Sequence, residues 1–348
     1  MTDNDITDPS PGALDFDPAG LQRFLEGHVG QTASPFACVP VGGGQSNPTY
    51  FVDFAGRQMV LRKRPAGPIL RGAHAIDREF RVLTALARTA VPVPRPILYH
   101  ENAGIVGTAF YLMERLFGRV FHDCSLPGLA PAERRAIYFA MADALARLHA
   151  LRPEEVGLAD FGSPGNYFER QIARWSRQWK ESPSERIAAL DDLVQWLPRN
   201  LPADDGRIAI AHGDYRLGNL IFHPQRSEVI GILDWELSTL GHPLADLGFC
   251  CLPWNSTPDE YGGIRGLDHA KLGIPSQGAF VERYFSGAVP TSPLQRFHIV
   301  FALFRFAVIF VGIADRARSG SAASANAAAL APLARRFAER ALEIIEGG

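Results

Sequence analysis

Residues 212–219 read His212-Gly213-Asp214-Tyr215-Arg216-Leu217-Gly218-Asn219, and fifteen positions beyond Asn219 the segment Ile232-Leu233-Asp234-Trp235-Glu236 supplies a second aspartate. Both blocks sit in strand-like text: IAIAHGDYRLGNLIF, then the turn HPQRSE, then VIGILDW. Asp214 and Asn219 thus fall five apart in a loop before a strand. Asp234 ends the partner strand of the same hairpin, which would carry its carboxylate back toward that loop. Phosphoryl transfer needs few parts: a carboxylate to orient an attacking hydroxyl and accept its proton, oxygen ligands for magnesium, and a cation on the phosphates. Asp214, Asn219, Asp234 and Arg216 supply that set. A lone His-Gly-Asp would mean little, because an Asp in a turn is usually a capping residue. His212 itself reads as structural, holding the loop by hydrogen bonds.

The surrounding chain suits such a role. It has 348 residues, enough for two lobes or one large domain at roughly 150 residues per domain. Hydrophobic residues make up 47% and charged residues 21%, and 35 basic against 37 acidic side chains give a net charge of −2. That balance disfavours a nucleic-acid binder, which usually carries a large positive excess. Cys38, Cys124, Cys250 and Cys251 form no C-x-x-C pair, so neither a disulfide framework nor a zinc ribbon is indicated, and a reduced, cytoplasmic setting is expected. The opening MTDNDITDPSPGALDFD holds five aspartates and no basic residue, unlike a secretory leader, and residues 1–20 are expected to form a flexible acidic tail. Phe297 to Ala314 approaches membrane-spanning length but is interrupted by His298 and Arg305, so a buried helix and no membrane partner are expected.

From Val41 the text reads as a glycine-rich turn and a hairpin: GGGQSN, YFVDF, a turn at Ala55-Gly56, then QMVLRK. His74 to Ala90 has helical spacing in Ile76, Phe80, Leu83 and Ala87, and VPVPRP stops it because proline lacks the amide donor and restrains its predecessor. Phe110 to Glu114 is strand-like and Glu114 to Gly118 reads as a hinge. Helical patterns then dominate, beginning with Ala130 to Ala150, where Pro131 stands in the first turn. The layout is an α+β chain: residues 21–115 as a small antiparallel-sheet lobe, and 116–348 as a larger, mainly helical lobe. A cleft between lobes is the default ligand site.

H-G-D-x-x-x-x-N with a downstream I-x-D-W-E resembles the aminoglycoside phosphotransferase family, which shares the bilobal protein-kinase-like fold; protein kinases carry H-R-D-x-x-x-x-N and D-F-G at comparable places. The resemblance spans Val41 to Phe249. It implies ATP and Mg2+ as cofactors, Asp214 as catalytic base, Arg216 at the position of the kinase catalytic-loop lysine, and Asn219 and Asp234 as metal ligands. It also places Gly43, Gly44, Ser46 and Asn47 in the nucleotide loop, although their spacing departs from the kinase G-x-G-x-x-G and a plain glycine-rich turn would read the same way. Arg62 and Lys63 face opposite sides of a strand, so one alone can reach the phosphates. Similarity to the family's strand ending favours Arg62, with Glu79 as its helix partner. The backbone from Glu114 to Leu116 resembles the adenine-binding linker, and Asp246 resembles a family aspartate that braces the catalytic segment.

The acceptor is the open question. Aminoglycosides are polycations and need an acidic pocket, whereas NYFERQIARWSRQWK presents Arg170, Arg174, Arg177 and Lys180 at helical spacing beside Trp175 and Trp179. Residues 57 to 95 add nine basic side chains against two acidic. A small, hydroxylated, anionic metabolite is therefore expected. Together with VLRKRP and ILDWELSTLGHPLADLG, the helix resembles the kinase-like domain found fused to acyl-CoA dehydrogenases, which implies a hydroxyacyl-CoA. An aminoglycoside antibiotic kinase and a nucleotide-binding pseudokinase acting through protein contacts are the alternatives; oligomeric state is not legible.

Overall fold

A computed structural model describes residues 14–30, 34–42, 47–65, 75–163, 165–289, 292–318 and 330–347. In chain order the elements begin with α1 (Pro18–Val29), β1 (Ala37–Pro40), β2 (Thr49–Phe54), β3 (Arg57–Lys63), α2 (Ile76–Leu86), β4 (Pro96–His100) and β5 (Phe110–Glu114). Next come α3 (Pro131–Ala150), α4 (Tyr167–Glu181), α5 (Ala188–Arg199), β6 (Ala209–Ala211), β7 (Leu220–Phe222), β8 (Val229–Ile232) and β9 (Thr239–Gly241). The chain ends in α6 (Pro243–Cys250), α7 (Leu252–Asn255), α8 (His269–Leu272), α9 (Gln277–Gly287), α10 (Arg296–Arg318) and α11 (Ala331–Glu346). The fold is α+β, with a small antiparallel sheet and a mainly helical remainder. Contacts divide it into one unit of residues 1–120 with 219–237 and another of 121–218 with 238–348. The expected break at 115/116 differs from this grouping chiefly because the β7–β8 hairpin joins the first unit.

In the first unit the sheet runs β1-β2-β3-β5-β4, every pair antiparallel. β2 and β3 are joined by two residues that both take positive φ, Ala55 at 52° and Gly56 at 70°. Such a turn matches the right-handed strand twist, but it puts Ala55 in a conformation that costs an L residue roughly 1–2 kcal/mol. One sheet face packs on α1: Leu21 and Leu25 bury against Tyr50, Val52, Phe54, Met59, Leu61, Phe110 and Leu112. Of the flexible tail expected over residues 1–20, residues 1–13 lie outside the described residues, and residues 14–20 are packed rather than free. Leu14 and Phe16 pack on the same core, Asp17 caps α1, and the Asp15 carboxylate accepts from Tyr50 Oη at 2.6 Å. The apolar pair was masked by the aspartates around it.

The β7–β8 hairpin is tied to the segment after α2 by the Ile232 amide, which donates to Pro92 O at 2.8 Å. Gly118 lies against it so closely that a Cβ would sit 2.2 Å from Phe222 O. That proximity leaves room for glycine alone without a backbone shift.

In the second unit α4, α5, α6, α10 and α11 enclose a continuous core. α10 is long and apolar enough to cross a membrane by length and composition, yet most of its apolar stretch is buried. Its phenylalanines pack against α4, α6 and α11, so it is the core helix of this unit. The sequence text IAIAHGDYRLGNLIF is not one strand: β6 pairs with β9, and β7 with β8.

Candidate active site

Alternation along β3 decides which cation faces which way. Met59, Leu61 and Lys63 turn toward α1, and Lys63 is buried with its Nζ 2.9 Å from Asp15 and 5.1 Å from the Phe16 ring centre. Arg62 turns to the other face. Its Nη1 lies 3.0 Å from Glu79 Oε2, on α2, and its Nη2 lies 3.4 Å from Asp234 Oδ1, just past β8.

Glu79 is 1% exposed and fully engaged. Besides Arg62 it accepts from Asn47 Nδ2 at 2.9 Å and from Tyr111 Oη at 2.8 Å. Burial pushes its carboxyl above the usual range against the pull of Arg62. For Arg62 burial works toward lowering, but the negative charges around it, Glu79 first, outweigh that and raise it further, so the guanidinium stays charged. Asp234 holds φ at 64°, a left-handed conformation that an Asp tolerates better than most residues and that often marks a functional turn.

Asn219 closes a short 3-10 turn, is buried, and accepts through its backbone carbonyl from the Leu233 amide at 2.8 Å. The hairpin therefore sets Asn219 across from the residue preceding Asp234. Oxygen atoms of Glu79, Asp234 and Glu236 lie within 4.8 Å of one another. An all-oxygen donor set fits a hard divalent cation such as magnesium.

A separate group of the expected residues lies in the second unit. Asp214 Oδ2 sits 3.3 Å from Arg216 Nε, and the Asp214 amide donates to His212 Nδ1 at 3.2 Å. Arg216 is 40% exposed and Asp214 24%, so both reach solvent. Beneath them Asp246, on α6, is 1% exposed and accepts from the His212 amide at 2.6 Å and the Gly213 amide at 2.9 Å. His149 Nε2 lies 3.3 Å from the same carboxylate, and His149 Nδ1 meets Tyr284 Oη at 2.8 Å. Burial alone would raise the Asp246 carboxyl; the hydrogen bonds and charge it gathers, His149 first, hold it below the usual value. Arg305, from α10, donates to Gly213 O.

Of the remaining expected residues, Gly43, Gly44 and Ser46 lie outside the described residues. Asn47 is 2% exposed and spends its amide on Glu79. Glu114 ends β5, and its amide is committed to Arg95 O at 2.9 Å. The Leu116 side chain packs against Gly231, where a Cβ would come within 2.5 Å of it. Trp175 and Trp179 stand on the apolar side of α4. Both are buried, Trp179 donating to Asp191 at 2.8 Å and Trp175 to Gln171 at 3.1 Å. Arg174, Arg177 and Lys180 stay exposed. Together with Gln178, Glu181, Ser182, Pro183 and Asp315, the two arginines line an open depression of about 400 Å³. Sequence reading missed Arg305 and His149 as supports of the loop; a charge inside an otherwise apolar run was the available signal for the former.

The phosphotransferase enzyme family matches this chain over residues 37–284, from β1 into α9. The chain is a member of that family. This phosphotransferase is 42% identical over 330 residues to mouse "Acyl-CoA dehydrogenase family member 10", a match covering 92% of the chain and 30% of the mouse protein. The chain thus spans less than half the length of the curated relatives it matches. Among solved structures, a Ralstonia eutropha protein described as a candidate aminoglycoside phosphotransferase is 43% identical, with a TM-score of 0.86 over 95% of this chain and 99% of that one. A thermostable aminoglycoside phosphotransferase APH(4)-Ia, solved with AMP-PNP and hygromycin B, shares the fold at 15% identity and a TM-score of 0.61, covering 94% and 99% of the two chains.

Proposed function

We propose that this phosphotransferase moves the γ-phosphate of ATP to a hydroxyl of a small anionic metabolite, with a hydroxyacyl-CoA as the acceptor class. The observation that carries the reading is Arg62 held between Glu79 and Asp234. A permanently charged, planar group able to grip phosphate is there positioned by a buried carboxylate beside a second carboxylate suited to a cation. Asp234 and Asn219 would hold magnesium, with Glu236 and Glu79 close by; when bound, the ion would offset negative charge on the phosphates.

Arg62 steadies the nucleotide phosphates, and backbone groups of the Glu114 to Leu116 segment are assigned to the adenine edge. Asp214 orients the acceptor hydroxyl and takes its proton, and Arg216 stabilises charge developing on the transferred group. Transfer is direct, without a phosphoenzyme. For the acceptor, the exposed Arg174, Arg177 and Lys180 suit the phosphates of coenzyme A and repel a polycation such as an aminoglycoside. The mouse relative, named for an acyl-CoA enzyme, supports the same class.

The test is a screen of magnesium-ATP with 4-hydroxyacyl-CoAs and with aminoglycosides, following ADP release and thermal shift. Asp214→Ala is expected to abolish turnover while nucleotide binding persists. Full turnover in Asp214→Ala, or transfer to aminoglycosides alone, would overturn the corresponding part.

A further inference from the structure

Arg305 stands in the middle of α10 and is 6% exposed, among Leu303, Phe304, Ala307 and Val308. A guanidinium stripped of water is costly to keep unless its donors are used. It donates to the carbonyl oxygen of Gly213 and lies over two rings, 5.7 Å from the centre of Trp175 and 5.8 Å from that of Phe249.

The same glycine is held from its other end. Its amide donates to Asp246 at 2.9 Å, so an anion from α6 grips its N–H while a cation from α10 grips its C=O. Gly213 has φ at 84°, and the chain bends at the point where both hold it. The gripped carbonyl belongs to the peptide that carries the Asp214 amide, itself donated to His212 Nδ1 at 3.2 Å. Turning that peptide plane would swing the Asp214 side chain.

We propose that Arg305 is a positioning residue that fixes the 213–214 peptide plane and with it the Asp214 carboxylate. The proposal rests on the reading of Asp214 as the group that orients the acceptor hydroxyl. Trp175 and Phe249 serve as the stacking walls that keep the guanidinium in place, which explains why an Arg is kept inside a helix otherwise built for core packing.

Arg305→Met keeps the length and apolar bulk of the stem but not the donor; Arg305→Lys keeps charge without the planar fork. Hydrogen exchange is measured by mass spectrometry over peptides covering 209–218, alongside magnesium-ATP turnover with water as acceptor. In Arg305→Met, exchange over 209–218 should rise roughly tenfold while the β2–β3 hairpin is unchanged. Turnover should fall about 10–100-fold with KM for ATP within about twofold, since small misplacement of a reacting group costs rate rather than binding. Arg305→Lys should recover part of both. If Arg305→Met does not fold, Arg305→Lys and Trp175→Leu are read the same way, each raising exchange over 209–218. Unchanged exchange there would overturn the clamp whatever the turnover. If exchange rises but Asp214→Ala turns over ATP like the unsubstituted protein, the clamp stands and the role of Asp214 falls.

Discussion

Arg62 and Asp234, 172 positions apart in the chain, meet at 3.4 Å, because β3 turns Arg62 to the face away from α1 and the turn after β8 bends Asp234 into a left-handed conformation beside it. In this arrangement the guanidinium partly neutralises a carboxylate assigned to the metal. Asp234→Asn keeps the left-handed turn, which asparagine tolerates, and removes the charge. Magnesium-dependent binding of AMP-PNP should weaken at least about tenfold, equivalent to about 1.4 kcal/mol, with little change in stability. Calorimetric titration with and without magnesium checks this; equal affinity for both proteins would remove Asp234 from the metal site.

The Arg62–Glu79 pair is buried on both sides, and the two partners are not equivalent. Removing the cation in Arg62→Met leaves Glu79 in a dry pocket without its counter-charge, with the hydrogen bonds from Asn47 and Tyr111 remaining. Breaking such a pair typically costs about 3–5 kcal/mol. Glu79→Gln retains an acceptor for one donor and leaves Arg62 beside Asp234, so the loss should be smaller, about 1–2 kcal/mol. Urea unfolding of both variants measures the difference, and a larger loss in Glu79→Gln would contradict the assigned asymmetry.

How far these positions could be read from sequence depends on whether the contact is local. The β2–β3 hairpin is legible because alternation and Ala55-Gly56 lie within one short window. The same alternation shows that Arg62 and Lys63 diverge, but not which faces inward; that is settled by α1, whose Leu21 and Leu25 cover the Lys63 side. α1 itself was obscured by acidic neighbours. The pairing of β6 with β9 has no local signature either, since a three-residue strand buried on both faces looks the same whichever partner it takes. Arg305 could be flagged as a charge in an apolar run, yet its target, Gly213, lies 92 positions away.

Asp246 gives a sharper expectation for the catalytic loop. Its two carboxylate oxygens accept from successive amides of His212 and Gly213, so Asp246→Asn points a donor at a donor. Leaving a buried amide unpaired costs about 1–3 kcal/mol, and turnover should fall with stability. Because the folded value of this carboxyl lies below its ordinary 3.8, its contribution is complete above that pH and is lost as pH falls through the folded value. The substituted protein should therefore show a shallower loss of stability in acid than the original, which pH-dependent denaturation would reveal.

At the Ala55-Gly56 turn the strain can be relieved without touching either unit's chemistry. Ala55→Asn places a residue that accepts positive φ where the hairpin demands it. A gain of about 0.5–1 kcal/mol is expected, read as a higher urea midpoint at unchanged slope. A loss would mean that the turn geometry does not limit the hairpin.

The strongest pH dependence above that acid range should come from His298. It is buried on α10, and its Nδ1 lies 2.9 Å from the Gln295 amide nitrogen and 3.2 Å from the Gln295 carbonyl oxygen. Around it stand Phe168 and His242, the latter stacked at 6.3 Å and held by Asp205 at 3.0 Å. Burial lowers His298 from the ordinary 6.5 to about 4, and it lowers His242 as well. A histidine protonated more readily in the unfolded chain favours unfolding as acid is added. The stability it carries is therefore complete above pH 6.5 and drains away as pH falls toward 4, by up to about 3 kcal/mol for His298. His298→Gln keeps an acceptor and removes the titration, so its stability should be nearly flat over that window apart from the share of His242. Denaturation midpoints at pH 7 and pH 5 give the comparison: the original protein should lose markedly more than the variant, and equal losses would show that another group sets the slope.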